Sequence, residues 1–168
     1  MIQLAWLIPV LPLIGFLINA FFGKKLSKSA AGGIGSTVIL GAFIIVLGIF
    51  FNSLSEDFKP ATVKLFDWIN AGSLHIPFEF LIDQFSLMMM LIVTGVGFLI
   101  HLYSIGYMHH DEGFQRFFSY LNLFIFFMLL LVMGNNYLIM FIGWEGVGLC
   151  SYLLIGFWFQ KSGIQQRG

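Results

Sequence analysis

The stretch YLIMFIGWEGVGLCSYLLIGFWF, Tyr137–Phe159, decides the fold. It is apolar almost throughout and long enough to cross a hydrocarbon core of about 30 Å as one α-helix. Yet it carries a carboxylate, Glu145, roughly 12 Å along the helix at ~1.5 Å per residue. Working outward, four more segments have the same character: residues 4–22, 33–51, 81–103 and 117–133. The chain of 168 residues is 59% hydrophobic and only 10% charged, whereas a soluble domain is about 25% charged. The expectation is an all-α integral membrane fold of about five transmembrane helices. Pro9 and Pro12 interrupt the first span, which membrane helices tolerate near an end. Only Gly134–Asn136 separate the fourth and fifth spans, so those two form a tight antiparallel hairpin.

The N-terminal apolar run precedes its positive charges and lacks an A-x-A cleavage pattern, so it reads as a retained span. Lys24, Lys25, Lys28, Arg116, Lys161 and Arg167 all fall on one side if five spans alternate. The other side holds Lys59 and Lys64, outweighed by Glu56, Asp57, Asp67, Glu79 and Asp83. The positive-inside rule then puts the N-terminus outside and the C-terminus in the cytoplasm. On the outer side, ATVKLFDWI and SLHIPFEFLI each alternate partly between apolar and polar residues, with Asn70–Ser73 between them. That pattern suggests a short β-hairpin between helices 2 and 3, with an irregular outer loop as the competing reading.

Glu145 is the strongest chemical signal. An ionised acid at that depth costs several kcal/mol, so the group must be neutral for part of its cycle, paired with a cation, or wetted. Each condition suits a proton carrier; the competing reading is a protonated glutamate bonded to a neighbouring helix. Gly143, Gly146 and Gly148 flank it, and Gly146 with Cys150 places small residues at i and i+4. Small residues admit a close helix neighbour, which suggests a packed interior position for Glu145. Ser151 and Tyr152 add hydroxyls that support a water wire or simply bond backbone carbonyls. His101, near the inner end of the third span, either passes protons inward or is an interfacial imidazole beside Tyr103 and Tyr107. Asp83 opens the third span at the outer interface. His109–Glu112, HHDE, has metal-ligand residue types without a defined ligand spacing, so no metal site is assigned. Met88–Met90 reads as lipid-facing or core filler.

Several chemistries have no residues here. The single cysteine, Cys150, supports neither a disulfide nor a zinc framework within the chain. Bis-histidine haem ligation needs paired intramembrane histidines, and only His101 is near the interior. No G-x-G-x-x-G, P-loop or C-x-x-C occurs. With zero net charge, nothing suggests nucleic-acid binding.

The run GNNYLIMFIGWEGVGLCSYLLIGFW resembles the chain 5 (L-type) antiporter-like subunit of respiratory complex I, the proton-pumping NADH–quinone oxidoreductase. So does the preceding IDQFSLMMMLIVTGVGFLIHLYSIGYMHHDEGFQRFFSYLNLF, and so does the opening AWLIPVLPLIGFLINAFFGKK. The likeness covers nearly all of residues 1–159. It implies a membrane-arm subunit, in a bacterial cell membrane, that carries protons while partner subunits oxidise NADH and reduce quinone. It implies no cofactor in this chain, with NADH, FMN, iron–sulfur clusters and quinone held by those partners. Glu145 matches the family's functional glutamate on helix 5, which pairs there with a lysine on a later helix. The outer hairpin matches a feature that links neighbouring subunits. Family members are longer and continue with an N-R-I-G-D type segment, whereas residues 160–168 here read QKSGIQQRG. The expectation is residues 1–159 as the N-terminal part of the antiporter-like domain, followed by a divergent tail, a fragment unable to complete a proton path alone. Lys161 lies beyond the fifth span and does not replace the partner lysine. Two other readings stay open: the homologous large subunit of a multi-subunit cation/proton antiporter or membrane-bound hydrogenase, and a non-catalytic membrane scaffold.

Overall fold

The computed structural model describes residues 2–55, 58–72 and 74–158. Five helices are long and apolar enough to cross a membrane. They are α1 (Leu7–Phe22), α2 (Lys28–Ser53), α3 (Gln84–Tyr107), α4 (Phe114–Met133) and α5 (Tyr137–Ile155). Short 3-10 turns at Ile2–Leu4 and Gly23–Lys25 extend the first span at both ends. Pro12 lies inside α1 and is buried there. Its ring removes one N–H from the helix ladder, close enough to the N-terminus that the span continues.

Local chemistry sets the helix starts. Ser27 caps α2 by accepting from the Ala30 N–H at 3.2 Å. Asp83 and Ser86 form a reciprocal capping box at α3, with bonds of 2.7 and 2.9 Å. Asn136 caps α5 by accepting from the Ile139 N–H at 3.0 Å. Each cap satisfies N–H groups that the first helical turn leaves without an internal partner. Asp83 is therefore the N-cap of α3. That helix begins three residues later than hydropathy alone suggests, because Leu81 and Ile82 belong to a strand.

α1 to α4 pack as a bundle in which each helix touches its neighbours, and α5 lies along α4. The core includes Ile8, Ile39, Val46, Ile49, Leu87, Met90, Ile125, Leu129 and Met133. A second cluster around Ala31, Met108, Phe114, Phe118 and Phe157 closes the end that carries Lys24, Lys25, Lys28 and Arg116. There Lys28 donates to the His109 carbonyl and Gln115 to the Leu26 carbonyl, tying the α1–α2 turn to the α3–α4 connection.

At the opposite end β1 (Ala61–Ala71) and β2 (Leu74–Ile82) form an antiparallel hairpin. The ladder reaches Ala71↔Leu74, so Asn70 pairs with His75 inside the sheet instead of turning the chain. The bend falls at Gly72, whose φ of +60° favours glycine. The hairpin is anchored to the α4–α5 turn. Phe80 bridges Gly134, Asn135 donates to the Glu79 carbonyl and to its carboxylate, and Asn136 donates to the Pro77 carbonyl at 2.9 Å. Asn136 thus caps α5 and binds the sheet at once, which fixes where α5 enters the apolar layer.

Candidate functional site

α5 has two unlike faces. Gly143, Gly146 and Cys150 are buried against α4. A Cβ on Gly143 would stand 2.6 Å from the Leu131 backbone nitrogen, and one on Gly146 would collide with the Phe127 ring. The two helices therefore approach closely, as small residues permit. At about 100° per residue, those positions lie roughly 100–160° around the helix from Glu145.

Glu145 accordingly points away from α4 and is exposed, in a stripe with Phe141, Gly148, Leu149 and Tyr152. Within the described residues, then, the flanking glycines do not place Glu145 against a neighbouring helix. The small residues do admit a close neighbour, but that neighbour is α4, on the opposite face. A Cβ on Gly148 meets nothing within 4 Å, so the face around the carboxylate is open among the described residues. No ion pair reaches Glu145 there; the described pair, Lys64 with Asp67, is in the hairpin.

Of the residues proposed to support a relay, Tyr152 lies on the Glu145 face, two turns on, and is exposed. Ser151 is half-buried beside it. His101 is elsewhere. It is fully buried inside the bundle, its ring packed edge-on to Phe118 with centroids 5.9 Å apart. The interfacial reading of His101 does not hold. Tyr103 and Tyr107 stack on each other at 5.8 Å on the exposed side of α3, while His101 faces inward. The reason is angular, since residues two and six positions away on a helix point in other directions.

The connection His109–Glu112 has other work. The His109 and His110 rings meet edge-on, and Asp111 accepts from the Gly113 N–H at 2.8 Å and from the Trp158 indole at 3.0 Å. Among the described residues no group of three His, Cys, Asp or Glu is placed to hold a metal. Arg116 lies 5.0 Å over the Phe157 ring, a cation–π contact. The tail 160–168, including Lys161, lies outside the described residues.

Sequence reading missed three residues. Asn19, Ser36 and Asn122 are buried within α1, α2 and α4. The available signal was one amide or hydroxyl amid apolar runs such as FLINAFF and YLNLF.

Residues 68–118 match the family described as NADH-Ubiquinone oxidoreductase (complex I), chain 5 N-terminus. Residues 134–165, which contain the Glu145 helix, match the family described as NADH:quinone oxidoreductase/Mrp antiporter, TM. The chain is homologous to complex I chain 5. NADH-ubiquinone oxidoreductase chain 5 of Hypocrea jecorina is 43% identical over 157 residues, covering 94% of this chain and 22% of that protein. NADH-quinone oxidoreductase subunit L of Mycobacterium tuberculosis is 45% identical over 158 residues, 93% of this chain and 25% of that one. A Neurospora crassa protein named probable intron-encoded endonuclease 4 is 44% identical over 161 residues, 29% of its length. The chain thus spans about a quarter of the length of these relatives.

Proposed function

We propose that the chain is the Glu145-bearing part of a proton-translocating membrane-arm subunit of NADH–quinone oxidoreductase. The observation that supports this most is the placement of Glu145. It is held mid-span by a helix whose opposite face is locked onto α4, and its carboxylate faces a side that the described residues leave open. A carboxylate so placed exchanges protons only with a partner group or water reaching that face. The resemblance supplies the partner as a lysine on a later helix. Glu145 is then the proton carrier, Tyr152 and Ser151 support it along α5, and the redox cofactors NADH, FMN, iron–sulfur clusters and quinone belong to partner subunits.

The lysine- and arginine-rich end faces the cytoplasmic side and the β-hairpin faces outward, by the charge bias across the bilayer. The relative from Mycobacterium tuberculosis supports a bacterial cell membrane. At the outer end, the hairpin docked on the α4–α5 turn is the element through which neighbouring membrane-arm subunits are engaged. A second reading is favoured by the Mrp antiporter description of the matched α5 region: the large subunit of a multi-subunit cation/proton antiporter. Purification of the tagged full subunit from its native membrane separates the two. Co-purifying flavin and iron–sulfur absorbance with NADH oxidation supports the oxidoreductase. Their absence, with loss of sodium tolerance on deletion of the gene, overturns it in favour of the antiporter.

A further inference from the structure

Four polar side-chain atoms are buried without a protein partner among the described residues: Asn19 Oδ1, Ser36 Oγ, His101 Nε2 and Asn122 Oδ1. They come from four different helices, α1 to α4. Thr94, also buried in α3, shows the contrasting case, since its hydroxyl donates to the Met90 carbonyl at 2.7 Å.

The four residues form one polar layer. The point where a Cβ on Gly35 would stand is 2.8 Å from Asn122 Nδ2, 3.0 Å from the Phe118 ring and 3.5 Å from Asn19 Nδ2. One spot on α2 therefore adjoins both amides and the ring against which His101 packs. Ser36 is the next residue. On facing α2 and α3, Gly32 meets Ile105 and Ile39 meets Gly97, so Ser36 and His101 sit at the same level between those contacts.

Most of the unpartnered atoms in the layer are acceptors. The amide nitrogens are occupied, Asn122 donating to the Phe118 carbonyl and Asn19 to the Ala31 carbonyl. His101 Nδ1 lies 2.7 Å from the Gly97 carbonyl oxygen. A carbonyl only accepts, so Nδ1 carries the hydrogen, and whenever the ring is neutral Nε2 presents a lone pair. Two amide oxygens and an imidazole nitrogen thus lack a donor, and the Ser36 hydroxyl, which can donate and accept, has no partner among the described residues. Buried polar groups in apolar surroundings are satisfied by protein or by ordered water, and water supplies two donors per molecule.

The layer also reaches the surface. Asn19 lines a cleft of about 630 Å³ together with Ser119, Gln115, Lys24, Glu112 and Arg116. The four residues lie roughly 6–12 Å from that charged end, counting turns at ~1.5 Å per residue. We propose that Asn19, Ser36, His101 and Asn122 hold ordered water in a short inlet that opens between Lys24 and Arg116 and ends at His101. The inlet lies within α1 to α4 and does not depend on the role of Glu145.

The test uses the full subunit in sealed, oriented vesicles, with Cys150 and every other native cysteine replaced by alanine, and with silver ion as a probe small enough to follow water. Single cysteines replace Lys24 at the mouth, Asn19 and Asn122 in the layer, and Leu129 in the apolar core. A thiol reacts as the thiolate, which needs a wet site, so Asn19→Cys and Asn122→Cys should react at least about tenfold faster than Leu129→Cys. This reaction should occur from the Lys24 side only. If Asn122→Cys is as slow as Leu129→Cys, or reacts equally from the hairpin side, the inlet is wrong. A density map of the unsubstituted subunit at a resolution that shows water needs no variant. It should place water within hydrogen-bond distance of His101 Nε2 and Ser36 Oγ; apolar contact at both atoms overturns the proposal.

Discussion

Glu145 and His101 are both ionisable residues within apolar spans, and the fold houses them in opposite ways. His101 is enclosed by α1 to α4, with one ring nitrogen bonded to backbone and the other facing a shared polar layer. Glu145 is turned away from every described helix by the glycines that bind α5 to α4. An enclosed polar group must be satisfied by its own bundle or by water that the bundle admits, because lipid offers it no partner. An outward carboxylate at mid-span requires something further to cover it. The first group therefore defines a site inside this segment, and the second defines a surface of it.

Substitutions that fill the close approaches test this contrast first. Gly143→Leu drives side-chain atoms into the Leu131 backbone, which cannot rotate aside. It should cost about 3 kcal/mol or more, seen as a large drop in melting temperature in detergent and a loss of α4–α5 cross-linking. A melting temperature within error of the unsubstituted protein would mean that α5 is not held to α4 as described. Gly35→Ala brings a methyl against the Asn122 amide and the Phe118 ring. A penalty of about 2 kcal/mol is expected; no penalty would mean the polar layer is looser than the distances show.

The next effects are smaller. Asn136→Ala removes the α5 cap and the bond to the Pro77 carbonyl, with an expected cost of about 1 kcal/mol. Amide hydrogen exchange at Ile139 should rise with it, and unchanged protection would deny the cap its role. Gly148→Ala lies on the open face. In this segment it should change stability by less than about 0.5 kcal/mol. A loss as large as that at Gly35 would show that the Glu145 face is already covered.

Hydropathy alone revealed the five spans, because about 20 apolar residues in a row have few other uses. The hairpin was legible from alternation, and its strands pair as that pattern suggests, although Asn70 sits in the ladder and Gly72 makes the bend. The side of α5 on which Glu145 falls was not legible. Gly143, Gly146 and Gly148 all flank it in sequence, and only the packing shows that the first two face α4 while Gly148 faces open space. His101 looked interfacial because Tyr103 and Tyr107 follow it, yet a helix sends those three side chains in different directions. Asn19, Ser36 and Asn122 escaped notice because each is one polar residue in a long apolar run. Their meaning arises only when four helices bring them to one level.

The most direct test of the central claim is the number of protons moved per electron pair in the assembled oxidoreductase, comparing the native full subunit with its Glu145→Gln variant in sealed vesicles. Glutamine keeps the shape and cannot carry the proton. The account predicts normal assembly, NADH oxidation that persists, and a lowered proton-to-electron ratio. An unchanged ratio in a normally assembled enzyme would contradict it and leave Glu145 as a structural residue of the α5 surface.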